Sequence, residues 1–338
     1  MPAEWAPHER TWMAWPTSGY TVGDTEAEAE EARQTWAAVA NAIVAFEPVT
    51  MVVDPRDIDV APRYLAAEVE TLVAPLNDAW MRDIGPTFVV GDGPDGPRLG
   101  AVDWVFNGWG AQDWASWDLD RHIGRIVAEA SGAERIPSEL VNEGGGIHVD
   151  GTGTVLATTT VQLDPGRNPG LSPADVEAEF ARTLGTTRTV WLPRGLTRDS
   201  QRFGTRGHVD IVAAFTESGA LLVHEQPDES HPDAEVGREV VAALEQQGHA
   251  DGTPFEIVRV PAPTVLRDEE GWVDYSYINH LVVNGGVIAC SFGDGRDESA
   301  AQILADAYPG RTVVQVDARP LFARGGGIHC ITQQQPAL

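Results

Sequence analysis

The sequence predicts an α/β fold built from five similar units that close around an axis. Five times along the 338 residues a polar residue precedes an apolar strand, and in most cases a Gly-containing turn and a second strand follow. Self-similarity at a long period is typical of repeat architectures, in which one unit cannot bury its own apolar face. A closed ring leaves few strand edges unpaired and would bring the polar residues together at its centre. These residues lie 51 to 71 positions apart and are Asp83, Glu143, His208, Asn279 and Cys330.

The first elements are a helix and a strand. Residues 25 to about 45 carry apolar side chains such as Trp36 at helical spacing, and Asp24 or Thr25 is suited to cap the helix. A strand over residues 49–53 follows. The pattern of helix, short strand, helix and paired strands then recurs along the chain.

Four of the five units contain paired strands, and in the fifth the chain ends before it can turn back. Asp-Gly and Asn-Gly steps between the apolar runs are hairpin signals. Because no Ser- or Pro-rich linker divides the chain, we expect residues 1–338 to form a single catalytic domain, with a two-domain α/β arrangement as the alternative. The predicted strand pairs are 84–90 with 99–105, 147–149 with 155–160, 208–215 with 221–223, and 276–283 with 287–290.

The composition restricts the partners and the location of the protein. Its net charge is −28, which opposes binding to nucleic acid phosphates and would attract a cationic substrate. Solubility or adaptation to salt is the alternative explanation of this charge. No apolar run approaches the length of about 18 residues that a membrane span needs, and no signal segment opens the chain. Two cysteines fit a reducing compartment, so we expect a cytoplasmic protein with no membrane partner.

Cys330 is the first candidate for a catalytic nucleophile. It follows three consecutive glycines at 325–327, which bury no side chain but let a ligand lie against the main chain. The other cysteine, Cys290, lies in an apolar run that predicts a buried strand. His208 stands in a Gly-His-x-Asp setting and is the candidate proton shuttle for the thiol.

Three carboxylates accompany these two residues: Asp83, Glu143 and Asp210, the last expected on the same strand face as His208. Several acids beside a thiol raise its pKa above the usual value of about 8.5, which hinders an amidase. They suit a planar cationic substrate, because a guanidinium group pairs with carboxylates through forked hydrogen bonds. The residue types therefore predict a guanidinium-cleaving enzyme. A cysteine amidase or protease and a non-catalytic binder of cationic polyamines are the alternatives.

Motifs along nearly the whole chain resemble the agmatine deiminases of the guanidine-modifying (pentein) superfamily, which also contains arginine deiminases and bacterial peptidylarginine deiminases. Their combination and order are specific, although each motif alone is weak. The motifs are Trp80-Met81-Arg82-Asp83, Phe106-Asn107-Gly108-Trp109-Gly110, Asn142-Glu143-Gly144-Gly145, Asp164-Pro165-Gly166-Arg167-Asn168-Pro169, Gly207-His208-Val209-Asp210 and His329-Cys330-Ile331-Thr332.

The resemblance implies a five-bladed, pseudo-symmetric α/β propeller with the site at its centre. It implies a hydrolase of linear amidines that converts agmatine to N-carbamoylputrescine and ammonia in putrescine biosynthesis, without metal or organic cofactor. Cys330 would form a covalent thiouronium intermediate and His208 would act as acid and base. Asp83 and Asp210 would hold the guanidinium and Glu143 would support the histidine. The resemblance also suggests a homodimer.

Some residues leave the choice of substrate open. The family usually has Asn where this chain has Gly327, and Arg206 stands where a small or acidic residue is commoner. Arg206 or Arg324 could bind a substrate carboxylate, so peptidyl-arginine or another guanidino compound is the alternative substrate. His148 and His329 are interpreted as scaffold. One or two of the 11 tryptophans are expected to line the aliphatic tail of the substrate.

Overall fold

The computed structural model describes residues 1–338, and its strands form five main sheets and one short hairpin. The strands are β1 His8–Ala14, β2 Val49–Val53, β3 Glu70–Val73, β4 Thr87–Gly93, β5 Gly96–Val105, β6 Glu134–Val141, β7 Ile147–Val149, β8 Thr154–Thr158, β9 Arg188–Leu192, β10 Ala213–Phe215, β11 Ala220–Glu225, β12 Glu256–Pro261, β13 Arg267–Asp268, β14 Gly271–Trp272, β15 Leu281–Val283, β16 Gly286–Ser291, β17 Thr312–Asp317 and β18 Thr332–Pro336. The helices are α1 Glu26–Ile43, α2 Met81–Ile84, α3 Gly108–Ala111, α4 Ile123–Ser131, α5 Thr159–Gln162, α6 Pro173–Leu184, α7 Asp233–Leu244, α8 Asp297–Ala307 and α9 Arg319–Phe322.

All five sheets contain an antiparallel pair extended by a parallel strand, and the sheet that holds β1 adds a second parallel strand, β3. The orders are β4-β5-β6, β7-β8-β9, β10-β11-β12, β15-β16-β17 and β18-β1-β2-β3. A parallel neighbour requires a crossover, which a helix supplies in each sheet. These crossover helices are α4, α6, α7, α8 and α1. The α/β class and the five units predicted from the sequence are therefore confirmed.

The N-terminal and C-terminal strands complete the fifth sheet together. Strand β18 pairs antiparallel with β1, and the Trp12 Nε1–H donates to Gln335 Oε1 at 2.9 Å. The C-terminal segment therefore finds its antiparallel partner at the other end of the chain. This pairing occupies edges that would otherwise be free to bind another chain.

Helix α1 begins and ends close to its predicted limits. The Thr25 hydroxyl accepts a bond from the Glu28 N–H, and the Glu28 carboxylate accepts one from the Thr25 N–H. This capping box satisfies two N–H groups that lie outside the helical ladder. The predicted strand at 49–53 is confirmed as β2, and Cys290 is buried on β16 as expected.

Four predicted strands are shorter than expected. Segment 84–90 is strand only from Thr87 and segment 155–160 only to Thr158, and the other two losses change how residues reach the centre. Only Ala213–Phe215 of segment 208–215 and only Leu281–Val283 of segment 276–283 are strand. Residues 209–211 form a 3-10 turn instead. The expectation that Asp210 shares a strand face with His208 is therefore wrong, since a turn and not strand alternation directs both side chains.

The sheets and their helices enclose one large apolar core and a smaller, separate apolar cluster. The largest side chains shielded completely from solvent are Trp15, Trp36, Tyr277 and Tyr308. No helix combines the length and apolar character that crossing a bilayer requires.

Candidate active site

Short turns that precede the first strand of each sheet meet at the centre of the molecule. The Gly145 N–H donates to Asp83 Oδ1 at 3.2 Å, which joins the first and second units. His208 Nε2 lies 3.2 Å from Glu143 Oε2, which joins the second and third. Three of the five predicted site residues are therefore in one cluster.

The remaining units close this ring. Asn279 Nδ2 donates to the Asp210 carbonyl at 3.3 Å, and the His329 N–H donates to Asn279 Oδ1 at 3.0 Å. Arg82 Nε donates to the His329 carbonyl at 3.2 Å and returns the ring to the first unit. Hydrogen bonds thus link the five units in cyclic order, as the sequence repeats predicted.

The Cys330 thiol lies inside this ring and is 5% exposed. Asn279 Nδ2 lies 3.2 Å from Cys330 Sγ, and Asp210 Oδ2 lies 3.6 Å from it. Burial raises the pKa of the thiol well above its usual value, and the charges of Asp210 and Asp83 raise it further. The resting enzyme therefore holds Cys330 as a thiol.

His208 is held at one ring nitrogen and unpartnered at the other. Nε2 faces Glu143, whereas Nδ1 is buried, has no hydrogen-bond partner and lies 3.9 Å from Asp83 Oδ1. Burial alone would lower the pKa of His208, but Asp83, Glu143 and Asp210 together raise it to about 9. The imidazole is therefore in its charged form, with both ring nitrogens protonated, at neutral pH and can donate a proton.

Asp83 and Asp210 supply acceptors beside the thiol. Asp83 Oδ2 accepts from Trp109 Nε1 at 2.8 Å, and burial raises the pKa of Asp83 to about 6. Asp210 Oδ1 is buried without any partner. Because buried polar atoms are normally bonded, this oxygen marks a place for an N–H donor of a ligand.

Glu143 is fixed by Arg167, a residue that the sequence analysis did not single out for a role. Arg167 Nε lies 3.0 Å from both carboxylate oxygens of Glu143, and its terminal nitrogens donate to Asp164 at 3.0 Å and to the Thr205 carbonyl at 2.6 Å. Burial would raise the pKa of Glu143, but Arg167 and then His208 lower it. The only sequence signal was the motif containing Asp164 and Arg167.

Asp210 is held by a second chain of buried charges. His329 Nδ1 lies 2.7 Å from Asp210 Oδ2, and His329 Nε2 lies 3.0 Å from Glu4 Oε2. Burial would raise the pKa of Asp210, but the bond and charge of His329 lower it. His329 therefore positions a site carboxylate, which agrees with its interpretation as scaffold. His148 lies 3.8 Å from Glu4 in the same network. Glu4 was missed because nothing near it in the sequence suggests a site.

Gly145 creates the space in which the central side chains meet. A Cβ at this position would lie 2.5 Å from His208 Nδ1, 3.0 Å from Asp210 Oδ2 and 3.1 Å from Asp83 Oδ1. Gly327 is also restricted, since a Cβ there would lie 2.4 Å from Asn279 Oδ1. The glycine at 327, in place of the family's usual Asn, therefore leaves room for the Asn279 side chain that contacts Cys330.

Aromatic side chains form the way into the site. A pocket beside Cys330 is lined by Trp80, Trp109, Trp114 and Phe203. Trp109 and Trp114 stack with ring centroids 5.4 Å apart and planes 13° apart. These faces suit an aliphatic chain that carries a cation.

Neither Arg206 nor Arg324, the two arginines considered from the sequence, is available in this pocket to bind a carboxylate. Arg324 lines the pocket, but it donates to the Thr21 carbonyl at 2.7 Å and pairs with Glu31 at 2.9 Å. Arg206 is half-buried and is not among the pocket residues. The pocket beside Cys330 therefore contains no uncommitted cation.

Comparisons with known proteins agree with this geometry. The model of the Porphyromonas-type peptidyl-arginine deiminase family matches residues 1–336. A Streptomyces coelicolor protein provisionally named agmatine deiminase is 59% identical over 337 residues, covering 99% of this chain and 98% of that protein. The agmatine deiminase of Stutzerimonas stutzeri is 38% identical over 366 residues, covering 100% of this chain and 95% of that protein. The solved structure of agmatine deiminase from Enterococcus faecalis superposes with a TM-score of 0.91 at 31% identity, covering 99% of this chain and 95% of that one. With the five-unit ring and the buried thiol at its centre, these matches establish that the chain belongs to the Porphyromonas-type peptidyl-arginine deiminase family.

Proposed function

We propose that this protein hydrolyses agmatine to N-carbamoylputrescine and ammonia, a step of putrescine biosynthesis. One observation carries the proposal: the buried Cys330 thiol belongs to the same cluster as the carboxylates of Asp83 and Asp210 and the imidazole of His208, and the pocket beside it contains no free cation. The two carboxylates match a guanidinium group, and the aromatic walls match its four-carbon tail. The names of the similar proteins support the same substrate.

The first half-reaction uses the charge of the substrate. A bound guanidinium cancels the field of Asp83 and Asp210, so the Cys330 pKa falls, the thiol releases its proton to solvent and the thiolate forms. The sulfur attacks the guanidinium carbon and forms a C–S bond. His208 gives its proton to one amino group, which leaves as ammonia and breaks the C–N bond. The product of this step is a thiouronium cation on Cys330.

The second half-reaction returns the enzyme to its starting state. His208, now neutral, takes a proton from a water, and the resulting hydroxide attacks the thiouronium carbon. The C–S bond breaks, the sulfur leaves with the electron pair and takes up the proton of the added hydroxyl group, and the ureido product is released. Glu143, held by Arg167, keeps the His208 ring oriented and favours its charged form.

Peptidyl-arginine is the second candidate substrate, because the matching family is described by that activity. The deep burial of Cys330 and the stacked Tyr20–Phe203 pair, with ring centroids 4.7 Å apart, favour a small substrate over a peptide. The single catalytic domain, the homodimer and the cytoplasmic location stay predictions from the sequence.

The test is formation of the ureido product with agmatine, free arginine and a peptidyl-arginine, measured beside Cys330→Ala. Turnover of agmatine that the variant loses would support the substrate and the nucleophile together. A preference for either of the carboxylate-bearing or peptide substrates would contradict the choice of agmatine. Turnover that persists in Cys330→Ala would contradict the covalent mechanism.

A further inference from the structure

A second cavity adjoins the pocket beside Cys330. The two share Phe203, Gly204 and Gly325 in their walls. Because Gly325 lies only a few residues before Cys330, the shared wall is close to the thiol. The two cavities are therefore neighbours, with Phe203 in the wall between them.

The wall of this second cavity contains a buried carboxylate without a partner. Asp274 is 6% exposed and lines the cavity, yet its carboxylate accepts no hydrogen bond from another residue. Burial raises the pKa of Asp274 to about 8, and the charge of Asp199 adds to this effect. A cationic ligand stabilises a buried carboxyl group that has no hydrogen-bond partner more than it stabilises a solvent-exposed one.

The other charged groups of the cavity are already engaged. Arg198 donates to Asp268 and, at 2.6 Å, to Glu270, and it forms no bond with Asp274. Asp199 accepts from the Thr205 N–H at 2.8 Å and the His208 N–H at 2.9 Å.

The remaining cation of the cavity is at its rim. Arg202 is exposed, and its guanidinium lies 4.9 Å from the centroid of the Phe203 ring. Its nearest acidic partner is Asp113, at 3.5 Å. Asp274 is therefore the buried carboxyl group of this cavity that has no hydrogen-bond partner in another residue, and the charge of Arg198 only partly offsets the rise in its pKa.

We propose that Asp274 receives the terminal ammonium group of the substrate and thereby selects ω-ammonium alkylguanidines. This inference rests on the proposed function, since it assigns the far end of the same substrate. Four methylene groups separate the two cations of agmatine by about 7 Å, from bond lengths near 1.5 Å. With its guanidinium at Cys330, agmatine would extend its ammonium along this shared wall toward Asp274. Free arginine carries a carboxylate beside its ammonium at this end, and an ionised Asp274 would repel that carboxylate.

The test compares agmatine with n-butylguanidine, which has the same guanidinium and chain but no ammonium. We expect Asp274→Asn to lower kcat/KM for agmatine by about 10- to 100-fold, mainly through KM, because a charged hydrogen bond is lost. The loss on n-butylguanidine should be less than threefold. Glu269→Gln is the matched control, since it removes one exposed acid five positions away and should change neither substrate.

The outcomes separate this inference from the proposed function. Equal losses on both substrates in Asp274→Asn would overturn the subsite and indicate a structural role. Unchanged agmatine kinetics in the variant would also overturn it. A wild-type protein that turns over neither agmatine nor n-butylguanidine would overturn the proposed function itself. If Asp274→Asn does not fold, the test is the ratio of wild-type kcat/KM for agmatine to that for n-butylguanidine. A ratio below about 3 would refute an ammonium site.

Discussion

Gly145→Ala tests whether the central side chains can approach one another only because residue 145 has no side chain. The new Cβ would lie 2.5 Å from His208 Nδ1, whereas ordinary contacts of a Cβ begin near 3.4 Å. His208 is 1% exposed, so the ring has little room to move away from the methyl group. Gly145 has no positive φ, so the substitution adds a contact without backbone strain.

The magnitude follows from the overlap. The His208 ring must shift by about 1 Å, and a misplacement of this size costs about 10²-fold in rate. Overpacking a buried site also costs about 1–3 kcal/mol of folding stability. We therefore expect kcat/KM to fall by about two orders of magnitude in a protein that still folds.

The assay is ureido-product formation at saturating and limiting agmatine, together with a thermal unfolding curve for each protein. Gly91→Ala is the control, because Gly91 lies on β4 and no atom would meet its new Cβ within 4 Å. The control should match the wild type in both measurements. Wild-type kcat/KM in Gly145→Ala would refute the argument that this glycine sets the spacing of the site.

Four further predictions concern the charges of the site. The folded-state pKa of His208 is raised, so its contribution to stability is complete below pH of about 6.5 and is lost as pH rises through about 9. In urea titrations, Glu143→Gln should therefore lose less unfolding free energy between pH 6 and pH 9 than the wild type does. An equal loss in the two proteins would contradict this prediction. The same variant should move the alkaline limb of the kcat/KM profile to lower pH, since His208 must begin each turnover protonated. His329→Gln should raise the pKa of Asp210 and reduce kcat/KM more at pH 6 than at pH 8, whereas a pH-independent loss would indicate a packing role alone. At neutral pH, Cys330 should react faster with a cationic haloacetamidine than with neutral iodoacetamide, and equal pH profiles would refute control of the thiol by its neighbouring carboxylates.

The sequence by itself determined the five units and the residues at their centre. Asp83, Glu143, His208 and Asn279 could be found because each repeats one local pattern, a polar residue followed by an apolar strand, whereas Cys330 precedes the polar strand β18 and was found from its glycines and its thiol. Helix α1 could be placed within two residues because its cap and its apolar face are encoded locally. The substrate charge followed from the residue types, since several carboxylates beside a thiol suit a cation.

Only the tertiary structure decided which residues support this centre. Glu4 and His329 are 325 positions apart, and no local pattern records that they meet. The pairing of β18 with β1 is equally non-local, because the ring closes only after all five units have formed. The 3-10 turn at 209–211 replaced a predicted strand because the chain must bend to present His208 and Asp210 inward. Short-range sequence patterns therefore determined the helices and strands, whereas contacts between buried charged residues from distant segments determined the geometry of the site.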